Sequence, residues 1–134
     1  MNAADLQTRC ARVPFFRFLD FSVTEMTNDC VVASMPFAER HIGNPVLDTY
    51  HGGIISSFME AAASLCLFDD WEQKRLKPIN LSVDFLRPSL PGKTLNARAV
   101  ISRRGRRTAS IEAIAWQEDV AKPVAAGRFH FLLV

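Results

Sequence analysis

Several marks of specialised chains are missing from this sequence. Three cysteines, Cys10, Cys30 and Cys66, are odd in number and form no CxxC or Cys/His pattern, which argues against a disulfide framework or a zinc site. No metal is expected, and the thiols read as reduced. Net charge is only +2, from 16 Lys and Arg against 14 Asp and Glu, too little for the field of a general nucleic-acid binder. The leading MNAADLQTRCARV has no uninterrupted apolar run of the kind a signal peptide needs, so the expected location is the cytoplasm. There is no internal repeat and no low-complexity linker, and a chain of 134 residues fits one domain, 1–134.

Charge is scarcest in the middle. Between Gly53 and Phe68 the only carboxylate is Glu60, and almost every other residue is Ile, Phe, Met, Leu, Ala, Cys or Ser. A helix here is apolar on every face rather than along one stripe, and must be wrapped by other elements. The run from His51 to Phe68 approaches the ~20 residues of a membrane span, but a central Glu would cost roughly 2.5–3.5 kcal/mol there. A core helix is expected instead, with no membrane partner.

The flanks supply the wrapping. A weak helical period over residues 3–12 places Leu6, Cys10 and Val13 on one side, and Pro14 stops it. Phe15, Phe16, Phe18 and Phe21 then read as an aromatic plug for the core. Residues 21–26 and 30–37 read as a hairpin turned at Thr27, Asn28 and Asp29, and 38–50 as a loop. After the helix, Ile79, Leu81, Val83 and Phe85 alternate with polar residues, the pattern of a strand with one buried face. Strands at 95–102, 108–117 and 124–134 follow. In the last, Phe129 and Phe131 face one way, and Arg128 and His130 the other. The class is α+β: a short N-terminal helix and a six-stranded antiparallel sheet curled around one long central helix.

Two features could carry chemistry. Gly52 and Gly53 open the central helix, leaving its first N–H groups and positive dipole end unobstructed for an oxyanion. Either that is their role, or HGG is merely a tight approach of backbone. Glu60 lies two turns in, and Ser64 four residues later shares its face. Burial raises the pKa of such a carboxylate toward the working pH of a base. The alternative is a buried Glu neutralised by an arginine. Asp69, Asp70 and Glu72 near the helix end read as solvated, and His41 and His130 as incidental.

HGGxxxxxxxE on a buried helix after an Asn-Pro loop, followed by INLSVDFLRP, RRGRRTASIEA and a closing aliphatic strand, resembles the hotdog-fold thioesterases of the phenylacetate-degradation (PaaI-like) type. The resemblance spans roughly residues 14–134. It implies hydrolysis of acyl-CoA at sites between subunits of a homodimer or homotetramer, with coenzyme A part of the substrate and no separate cofactor. By position, the Gly52 amide would polarise the thioester carbonyl, Glu60 would be nucleophile or general base, and His51 would shape the carbonyl end, beside Gly53. Most members of that branch carry Asp where this chain has Glu60. The Glu form is similar to related aromatic-acyl-CoA thioesterases, which place a hydroxyl one turn later, as at Ser64. Pro78 stands where the other branch draws its Ser or Thr. Asn44 stands seven residues before His51, one more than the usual loop amide, with Pro45 in its place. Arg103, Arg104, Arg106 and Arg107 either hold the phosphates of coenzyme A or form a solvated hairpin. Arg87 is a further candidate that could equally cap a strand end. Phe58, Met59, Phe68 and Trp71 suggest an apolar pocket, although core packing accounts for them as well.

Two other functions compete. FMEAAAS also resembles a segment of hotdog hydratases and dehydratases, but those need His and Glu acting together, and no HFP-like segment precedes Glu60. An acyl-CoA-binding regulatory domain would keep the fold without turnover.

Overall fold

The computed structural model describes residues 1–73 and 75–134. Helix α1 (Ala3–Cys10) starts at a reciprocal capping box, in which the Asn2 side chain accepts the Asp5 N–H and the Asp5 carboxylate accepts the Asn2 N–H. Pro14 does more than stop that helix. It opens a second one, α2 (Pro14–Leu19), at the position where a missing N–H costs nothing. The expected aromatic plug is therefore divided by helical geometry: Phe16 and Phe21 are buried, whereas Phe15 and Phe18 are exposed and stack on each other at 5.9 Å.

Strands β1 (Ser22–Met26) and β2 (Cys30–Met35) form the predicted hairpin. The predicted loop holds a 3-10 turn, Glu39–His41, and a two-stranded hairpin of β3 (Ile42–Asn44) and β4 (Thr49–Tyr50). The central helix α3 (Gly52–Leu65) is shorter than expected; the chain turns at Cys66 and Leu67 and restarts as α4 (Phe68–Glu72). Strands β5 (Leu76–Phe85), β6 (Leu95–Arg104), β7 (Thr108–Trp116) and β8 (Ala125–Leu133) complete the chain. The main sheet has the order β1-β2-β6-β7-β8-β5 and is antiparallel throughout. This is the hotdog fold.

Small residues let the helix sit close to the sheet. Cross-strand registers align Ala33, Ala97, Ala115 and Ala125 in one row, and Val31, Ala99, Ala113 and Gly127 in the next. Phe58, Met59 and Leu65 of α3 are buried over this shallow floor. At Gly127 an added Cβ would lie 2.8 Å from the Ser82 carbonyl, so the β5–β8 pairing itself requires glycine there.

The sheet's two edges differ. At β1 the Gln7 side chain stands in for a strand, donating to the Phe21 carbonyl at 3.1 Å and accepting from the Val23 N–H at 2.7 Å. At β5 the outer edge is bare. The alternation there suggested a buried face; instead Leu81 and Phe85 remain 45% and 55% exposed, because α3 packs mainly on β6 and β7 and does not cover them. Among the described residues, no helix is long and apolar enough to cross a membrane.

Candidate active site

The start of α3 is built by two histidines. His41 lies fully buried against Tyr50 and Phe18, and its carbonyl accepts the His51 N–H at 2.8 Å. Among the described residues, neither of its ring nitrogens has a hydrogen-bond partner. Burial pulls its pKa below the ordinary histidine value, outweighing the nearby Phe18 and Pro36 carbonyls, so the ring stays neutral. Its place is structural: it packs the β3–β4 hairpin against the helix start. Gly43 allows that approach, since a Cβ there would lie 2.6 Å from the His51 Cα.

His51 is the helix N-cap. Its Nδ1 accepts the Gly53 N–H at 2.8 Å, and its carbonyl accepts from Ile54 and Ile55. A Cβ on Gly53 would come within 3.0 Å of the imidazole, so glycine there makes room for the cap. Of the first-turn donors, only the Gly52 N–H has no acceptor among the described residues. The ring of Phe85 lies over Gly52, at 3.3 Å from where a Cβ would stand.

Two turns along, Glu60 is half-buried. The helix is thus wrapped on all faces but one, and on that face Ser57, Glu60, Ala61 and Ser64 line a cavity of about 270 Å³. Val13, Phe15 and Phe16 form one wall, Leu76, Pro78 and Phe131 another, and Trp71 also borders it. Burial raises the Glu60 pKa above its ordinary value, and no arginine offsets this. Ser64 faces the same cavity, but its hydroxyl donates to the Ala61 carbonyl at 2.8 Å rather than to Glu60. Such back-bonding is the usual fate of a serine inside a helix. It leaves the oxygen lone pairs free to accept.

Other candidates lie elsewhere. The Asn44 amide oxygen accepts from Val46 and Leu47 in its own turn at the hairpin tip. Arg87 donates to the Pro123 carbonyl at 2.7 Å, which makes it a link between chain segments. Arg104 pairs at 2.5 Å with Asp70, which is buried rather than solvated, and Glu72 pairs with Arg9. Arg103, Arg106 and Arg107 are exposed and make no ion pair among the described residues. Phe58 and Met59 are core residues with no access to the cavity. Ser57 and the Val13–Phe16 wall were missed from sequence. Ser57 was findable, three residues before Glu60 on the same helical stripe. Burial also pushes the thiols of Cys10 and Cys66 up to about 11 and 12, which makes them poor nucleophiles.

The helix cap, Glu60 and strands β4 to β7 fall within one match: the family described as the Thioesterase superfamily covers residues 47–124. The chain belongs to the thioesterase superfamily. No curated protein matches it significantly. Among solved structures, this thioesterase-superfamily chain is similar to a thioesterase from Haemophilus influenzae, at 20% identity and TM-score 0.83, covering 100% of this chain and 91% of that one. The E. coli PaaI protein of the phenylacetic acid degradation operon gives 20% identity and TM-score 0.81 over 98% and 91%. Mouse thioesterase superfamily member 2 gives 18% and 0.84 over 98% and 97%. These likenesses establish the shared fold.

Proposed function

We propose that the protein is an acyl-CoA thioesterase in which Glu60 is the base or nucleophile and the Gly52 N–H polarises the thioester carbonyl. The observation that carries this is a carboxylate with raised pKa, unpaired among the described residues in a largely apolar cavity, on the helix whose first turn leaves the Gly52 N–H without an acceptor there. The unfilled donor meets the carbonyl oxygen and strengthens its hold as negative charge develops there. Glu60 deprotonates water or attacks the carbonyl carbon itself. A Ser64 hydroxyl whose proton is committed can still accept from that water and so aim it. Nothing beyond coenzyme A, carried in by the substrate, is required.

The spacing sets a condition. Gly52 and Glu60 are eight residues apart, about 12 Å along a helix, too far for both to reach one carbonyl. Two antiparallel copies resolve this, with Gly52 of one helix facing Glu60 of the other. The bare edge of β5, with Ile79, Leu81, Phe85 and Leu86 exposed, is the surface through which the copies would join. In such a pair, Arg103, Arg106 and Arg107, exposed and without an ion pair among the described residues, would take the phosphates of coenzyme A.

Complementation tests both claims. Glu60→Gln should lower kcat by roughly 10²-fold or more while acyl-CoA still binds. Gly52→Pro removes the donor at a helix position that tolerates proline. Each variant alone should be nearly inactive. Refolded together, they should regain about a quarter of wild-type thiol release, since half of the dimers mix and each mixed dimer has one intact site. No recovery would reject the shared site, and near wild-type turnover by folded Glu60→Gln would remove Glu60 from the mechanism.

A further inference from the structure

Resting on the thioesterase reading, we infer that the cavity beside Glu60 is a closed-ended acyl chamber and that Trp71 sets the length of chain it accepts. Its floor follows the helix: Ser57, Ala61 and Ser64 sit at successive turns on the Glu60 stripe, a trough about 10 Å long made by small side chains. Trp71, eleven residues beyond Glu60 in the sequence, lines the same cavity from α4, the helix that follows the turn after Ser64 and Leu65. It cannot easily swing aside. Its ring packs against Phe68 at 5.3 Å, and Phe68 is buried under the Arg9 guanidinium, 5.7 Å from the ring centre. Arg9 is in turn held by Glu72, next to Trp71 in α4.

The remaining walls, Val13, Phe15, Phe16, Leu76, Pro78 and Phe131, are apolar, so the chamber takes a hydrocarbon. A cavity of about 270 Å³, at roughly 30 Å³ per water-sized group, holds on the order of nine non-hydrogen atoms. That is an octanoyl-sized acyl group. With the carbonyl at Glu60, a longer chain would meet the indole.

Non-hydrolysable thioethers separate this inference from the catalytic one. Binding of S-butyl-, S-octyl- and S-dodecyl-coenzyme A is measured by calorimetry on wild type and Trp71→Ala, with thiol release from the matching thioesters followed in parallel. Wild-type affinity should rise from butyl to octyl and gain nothing at dodecyl. Trp71→Ala should bind the dodecyl compound at least ~10-fold more tightly than wild type, with the butyl compound within about twofold. Should the alanine variant fail to fold, Trp71→Leu keeps contact with Phe68 and should give a smaller shift of the same sign. A length profile unchanged by either variant, or weakened equally at every length, overturns the chamber whether or not thiol is released. The expected length break in binding without any thiol release would instead reject the thioesterase reading and leave the chamber standing.

Discussion

At the residue scale, Glu60 places function and stability in opposition. Its pKa in the folded chain lies above the ordinary 4.5, so the native state holds this proton more tightly than the unfolded chain does. The stability gained from the protonated form is complete below that value and is lost as pH rises through the raised one. Glu60→Gln should therefore raise stability at neutral pH, with the advantage vanishing in acid. Urea unfolding of both proteins at two pH values measures it. The acidic limb of kcat/KM should likewise lie above the ordinary carboxylate range. A variant no more stable than wild type at neutral pH would mean that the carboxylate is well solvated.

At the element scale, the arginine turn between β6 and β7 divides into two jobs. Arg104 holds buried Asp70 of α4 against the end of β6. Because Arg104 is 44% exposed, Arg104→Ala should cost about 1–2 kcal/mol, less than the roughly 3–5 of a fully buried pair. Alanine at Arg103, Arg106 or Arg107 should leave stability unchanged and raise KM for acyl-CoA with kcat nearly constant. Thermal unfolding and steady-state kinetics separate the two. The sequence could show the turn but not this division, since Asp70 and Arg104 are 34 residues apart and meet only in three dimensions. The same holds for other elements. Alternation located the strands of the main sheet, and the HGG and Glu60 spacing located the candidate site, because both are local periods. The break at Cys66 and Leu67, the helix begun by Pro14 and the back-bond of Ser64 had local alternatives of similar strength. The alternation of β5 marked an apolar face correctly, but a pattern cannot say whether its cover comes from the same chain.

At the scale of the whole molecule, the contrast between the two sheet edges sets how many copies can join. On β1, the Gln7 side chain occupies backbone groups, a register shift between Val23 and Glu25 twists the strand, and Glu25 adds charge. Strand β5 has a register shift of its own between Pro78 and Asn80 and carries Lys77 and Asp84, but among the described residues no side chain takes up its backbone groups as Gln7 does on β1. Under the proposed pairing each subunit would have a valence of one through its sheet: β5 would meet β5 and growth would terminate at a pair. Sedimentation should show no species larger than the pair built by strand addition. Replacing Gln7 with Ala and Glu25 with Val would give each subunit a second reactive edge. Pairs would then link β1 to β1, and light scattering should report open-ended polymers whose length grows with concentration. The glutamine would then be a chain terminator, setting a finite particle against a fibre.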